Sequence, residues 1–97
     1  MKLRFTPRAV QDLIEIARYF HVRNPVGARR VRAALTVALR QLAQFPRSGR
    51  SQRTHGVRKL AIKRYPYLLY YRIDTSTDEV IVLTVQHAAR RREHQDD

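Results

Sequence analysis

The chain has 97 residues, no cysteine and no tryptophan, and a formal net charge of +12. That length makes one domain able to bury a modest core, and the absence of cysteine rules out disulfides and thiolate metal sites. No run approaches the roughly 18 apolar residues a membrane helix needs. The opening Met1-Lys2-Leu3-Arg4-Phe5 has no signal-peptide character, so a reducing, cytoplasmic setting is expected. The charge is unevenly spread: between Glu15 and Asp74 there is no acid, against 14 Lys and Arg. A surface of that kind attracts nucleic acid or an acidic protein segment.

Lys2 to Phe5 alternates polar and apolar, which predicts a short strand. Thr6-Pro7 is an N-cap followed by proline at the first helical position. The helix it opens runs to about Arg23. Its apolar stripe is Ala9, Leu13, Ile16, Ala17 and Phe20, with Gln11, Asp12, Glu15 and Arg18 toward water. Asn24-Pro25 repeats the signal and opens a second helix, with Ala28, Val31, Leu35, Ala38 and Leu42 at spacings of three and four. So short a turn predicts an antiparallel helical hairpin.

Phe45-Pro46 stops the second helix, and a polar, basic loop follows to Gly56. Strands are expected at about 57–63, 67–73 and 79–86. Pro66 marks the start of the second of these or a bulge, and residues 74–78 form a hairpin loop. Tyr67, Leu69, Tyr71 and Ile73 fall on one face, and Leu68, Tyr70 and Arg72 on the other. The last strand is apolar on both faces and therefore interior. The fold class is α+β with order β-α-α-β-β-β: an antiparallel sheet with the N-terminal helical hairpin packed on one face. A single domain over 1–90 and a polar tail over 91–97 are expected.

Several pieces in this order carry a resemblance. They are Phe5-Thr-Pro-x-Ala-x-x-Asp12-Leu-x-x-Ile16, Asn24-Pro25, Leu42-x-x-Phe45-Pro46-x-x-Gly49, Gly56-Val-Arg58, Tyr65-Pro66-Tyr67-x-x-x-Tyr71-Arg72 and Val85-x-His87-x-x-Arg90. Together they resemble toxins of the RelE/ParE superfamily from bacterial type II toxin–antitoxin systems. The resemblance implies a cognate antitoxin whose acidic or amphipathic C-terminal segment wraps the toxin in a hetero-oligomer. It also implies one of two activities. RelE-like members are ribosome-dependent mRNA interferases; ParE-like members poison DNA gyrase.

An RNase of this kind needs a base, an acid and cations aimed at one phosphate. Arg58 matches the first basic position of RelE on its second strand, but the next such position is Leu60 and the third-strand arginine is replaced by Tyr67. The RelE tyrosine near the C-terminus has no clear counterpart beyond His94. If the chain is an RNase, its catalytic candidates are His87, Arg58 and Arg90. Imidazole suits acid–base work, but a His at a strand end also serves to bond backbone. The tyrosines suit base stacking but more often fill a core with the hydroxyl at its rim. Arg29, Arg30 and Arg32 on the second helix, Arg47, Arg50 and Arg53 in the loop, and Tyr67, Tyr71 and Arg72 are the candidate antitoxin or target contacts. The four histidines lack ligand spacing, so no metal and no cofactor is expected. The missing RelE positions and the Tyr65-Pro66-Tyr67 and His87-x-x-Arg90 pattern favour the ParE-like branch over the mRNA interferase, and both over an inactive antitoxin-binding homologue.

Overall fold

A computed structural model describes residues 1–89. Arg90, His94 and the 91–97 tail lie outside the described residues. The order is β1 (Lys2–Phe5), α1 (Pro7–Arg23), α2 (Pro25–Gln44), β2 (Arg50–Ser51), β3 (Val57–Ala61), β4 (Tyr67–Asp74) and β5 (Glu79–His87). The sheet has five strands in the order β1-β5-β4-β3-β2.

The capping signals act as the sequence predicts. The Thr6 hydroxyl accepts from the Ala9 amide at 3.1 Å. Asn24 ends one helix and starts the next: its amide donates to the Phe20 carbonyl at 2.7 Å, and its side chain accepts from Gly27 N–H at 3.0 Å. One residue thus satisfies orphan groups of both helix ends, which fixes a tight hairpin. From that hairpin Ala9 and Ile16 of α1 and Val31, Leu35, Ala38 and Leu42 of α2 reach the core. They meet Leu69, Tyr71, Val80, Val82 and Val85 of the sheet. Burying one such leucine contributes about 1.5–3 kcal/mol.

The sheet is mixed rather than wholly antiparallel. β1 runs parallel to β5, with Lys2 opposite Glu79 and Phe5 opposite Val82. Alternation in Lys2–Phe5 identifies a strand but not its neighbour, which lies some 77 residues away. β2 is also an addition: Arg50 and Ser51 pair with Lys59 and Arg58, and two residues are too few to show a period. β3 ends at Ala61, two residues earlier than expected.

Where β5 runs past the end of β1, α1 takes over its exposed edge. The Thr6 hydroxyl donates to the Leu83 carbonyl at 2.6 Å. One Asp12 carboxylate oxygen accepts from the Val85 amide at 2.9 Å and from the Thr84 hydroxyl. Asp12 is therefore not a water-facing helix residue. It seals a strand edge that would otherwise present unpaired backbone groups. The pairing of β4 with β5 shifts here, from Tyr70 opposite Thr84 to Tyr71 opposite Val82, leaving Leu83 as an extra residue.

Candidate functional site

Three surfaces draw together the residues that carry chemistry. The first is a basic groove at the β2–β3 end of the sheet, of about 560 Å³, lined among others by Arg47, Arg53, His55, Arg58 and Thr75. Arg47 and Arg58 tie it to a hydrogen-bond bracket. Tyr71, fully buried, donates its hydroxyl to the Pro46 carbonyl at 2.7 Å and accepts from the Gly49 amide at 2.9 Å. Burial raises the Tyr71 pKa above the ordinary phenol value, against smaller lowering influences from Gly49, Arg58 and Ser48. The phenol therefore keeps the proton it donates.

Gly49 is required at that point. A Cβ there would stand 2.6 Å from the Tyr71 hydroxyl and 2.8 Å from the Lys59 carbonyl. Arg58 then closes the bracket: its Nη1 donates to the Gly49 carbonyl at 2.8 Å and to the Arg47 carbonyl at 3.4 Å. The Pro46-x-x-Gly49 and Tyr71 pieces of the sequence pattern thus belong to one device, which sets the loop that carries Arg47. Gly56, at φ +80°, makes the turn into β3 that places His55 on the same groove.

The second surface lies at the opposite end of β4 and β5. His87 stands across the ladder from Tyr67, its ring edge-on at 5.5 Å between centroids. Its Nδ1 accepts from the Ala89 amide at 3.1 Å. Arg8, Asp12, Glu15 and Tyr19 of α1 line the same pocket. Tyr67 is buried and its pKa is raised, first by burial and then by Tyr19.

The structure does not bring His87 and Arg58 together. Their partners on β4, Tyr67 and Tyr71, are four residues apart, about 13 Å along the strand, and two strand spacings separate β3 from β5. The backbone gap is on the order of 16 Å. Arg58 turns its guanidinium to the Gly49 and Arg47 carbonyls and His87 its Nδ1 to the Ala89 amide, so the two side chains do not converge on one point.

The third surface is the seam between the helices, a groove of about 450 Å³. Leu13, Phe20, Ala28, Val31, Leu35 and Leu39 give it an apolar lining, with Arg32 on its wall. Arg29 and Arg30 are exposed on α2 nearby. Near the hairpin turn Tyr19, Val22 and Val26 are also exposed, Val22 at 78%. Clustered apolar exposure of this kind marks a partner surface.

The remaining candidates disperse. Arg50 is exposed on β2, and Arg72 is exposed on the sheet face away from the helices, opposite Val57 and Ile81. Tyr67 and Tyr71 are core residues, not open stacking platforms. Thr75 reaches the basic groove only because the β4–β5 hairpin ends there. Nothing in its local sequence signals that placement.

The chain matches the family described as "ParE toxin of type II toxin-antitoxin system, parDE" over residues 3–92. It is 39% identical over 87 residues to "Putative toxin Y4kP" of Sinorhizobium fredii, covering 90% of this chain and 88% of that protein. Two solved structures share its fold. A chain of the chromosomal ParDE system from P. aeruginosa has a TM-score of 0.73 at 24% identity, covering 90% of this chain and 95% of that one. A chain of the intact E. coli RelBE toxin–antitoxin complex has a TM-score of 0.71 at 21% identity, covering 92% and 98%. With the fold, the family match and the relative in agreement, this protein belongs to the ParE toxin family of type II toxin–antitoxin systems, within the RelE/ParE superfamily.

Proposed function

We propose that the toxin acts in the cytoplasm as a ParE-like inhibitor of DNA gyrase and is held inactive by a cognate antitoxin. The observation that carries the choice of target is the separation of His87 from Arg58. A ribonuclease needs its acid–base group and its phosphate cations within reach of one scissile bond, whereas these two flank β4 on different strands, opposite residues four apart, and are engaged by different backbone groups. His87 also spends its Nδ1 on the Ala89 amide, a role that anchors the end of β5. Inhibition by binding needs no such convergence.

The antitoxin segment fits the seam between α1 and α2. An amphipathic helix places its apolar side chains in a groove of that lining, and its acidic face meets Arg29, Arg30 and Arg32.

Inducing the chain in a bacterium tests the target. Gyrase-linked double-strand breaks in plasmid DNA, with mRNA intact, are the expected outcome. Codon-phased mRNA cleavage without breaks would make it a RelE-like mRNA interferase instead. His87→Ala should leave toxicity within a few-fold of the parent. Loss of toxicity in a folded His87→Ala protein would move His87 into a catalytic role.

A further inference from the structure

The basic groove is built for a different ligand from the seam. Four of its lining groups, Arg47, Arg53, His55 and Arg58, are basic, and Ser51 and Thr75 add hydroxyls. Among the side chains of the described residues that line it, only Val57 and Ile73 are apolar and none is acidic. The neighbouring Asp74 carboxylate is engaged by the Ser76 amide and hydroxyl at 3.0 and 2.6 Å. Arg58 is held in place through Nη1 by two backbone carbonyls. A guanidinium fixed in this way loses little freedom on meeting an anion.

We propose that this groove binds the sugar-phosphate backbone of duplex DNA, so that the toxin touches nucleic acid directly. This goes beyond gyrase inhibition and does not depend on it. Arginine together with serine and threonine hydroxyls is the usual equipment for phosphate contacts. A peptide would also need apolar anchor pockets, which the seam has and this groove lacks. Single-stranded RNA or DNA is gripped by stacking its bases on exposed aromatic rings. Among the described residues the groove offers one imidazole and no Tyr, Phe or Trp, and Tyr71 is buried. What remains is a fit to backbone phosphates whose bases stay paired.

The test uses the full chain and a labelled DNA duplex, with anisotropy followed across a salt series. Each phosphate contact contributes about 0.9 to the slope of log K against log salt. The Arg47→Gln/Arg53→Gln double variant, both residues exposed, should lower that slope by about 2. Lys2→Gln/Arg40→Gln removes the same charge from exposed positions on β1 and α2 and should leave the slope nearly unchanged. Circular dichroism of both variants checks that the fold is kept. Equal losses from the two variants would mean that net charge alone binds DNA, and would overturn the proposal. An unchanged slope in the groove variant would do the same. Two competitors separate the sources. A polyglutamate peptide of matched charge that displaces the duplex as well as unlabelled duplex does would assign the groove to acidic protein. A single-stranded RNA that binds with the steeper groove-dependent slope would assign it to single strands. Either result sinks the duplex assignment.

Discussion

The seam and the basic groove lie on one small molecule but are held in opposite ways. The side chains that line the seam are the same ones that hold the fold together: Val31 and Leu35 belong to the core and also face the groove. A partner helix laid there continues the core outward. In the basic groove Arg47 and Arg53 are exposed and Arg58 is half-buried, and the fold is secured beneath them by Tyr71, Gly49 and the carbonyls they position. Surface charge there can change freely while the bracket cannot. The seam couples recognition to stability, and the groove separates them.

The largest effect that tests this separation comes from Gly49→Ala. The added methyl meets a buried hydroxyl and a backbone carbonyl, so a loss of about 3 kcal/mol is expected, read as a lower denaturant midpoint. A stable Gly49→Ala protein would show that the bracket is slack. Tyr71→Phe is next. It strips the Gly49 amide of its acceptor and the Pro46 carbonyl of its donor, at a cost of about 2 kcal/mol, and should weaken duplex binding by loosening the loop that carries Arg47. Unfolding curves and anisotropy on the same sample check both effects.

On the seam, Ala17→Glu places a charge at an exposed position within an apolar groove. Antitoxin affinity should fall at least about tenfold, or 1.4 kcal/mol, in titration calorimetry, with the DNA salt slope unchanged. Unaltered affinity would remove the seam from the antitoxin interface.

The smallest effect concerns acid. Hydrogen bonds from Ser76, ahead of those from Thr77, hold the Asp74 carboxyl below its usual range. Because the folded value is depressed, the loop's contribution is present above the unfolded carboxylate value of about 3.9 and is lost as pH falls through the folded value. Asp74→Ala should flatten that part of the acid limb in pH-dependent unfolding. An identical limb would assign the stability elsewhere.

Local chemistry wrote much of this fold into the chain. Thr6-Pro7 and Asn24-Pro25 act within four residues, so their caps were legible, as were the helix stripes and the faces of β4. Asp12 was not: on a helical wheel it sits with the water-facing residues, and only the approach of β5, more than 70 residues on, gives its carboxylate work. β2 has too few residues to show a period, and the parallel pairing of β1 needs a partner that local alternation cannot name.

The candidate site divides along the same line. The acid-free stretch from Glu15 to Asp74 determined by itself that this protein would present a basic surface, since so many cations cannot all be buried. The ordered motifs determined its family. Tertiary structure alone decided which cations meet. Strand register set the backbones of His87 and Arg58 on the order of 16 Å apart, and the Tyr71 bracket together with the β2–β3 hairpin brought Arg47, Arg53, His55 and Arg58 to one groove. Side chains distant in sequence become neighbours only through the pairing of strands and the packing of a core, and no local signal encodes that distance.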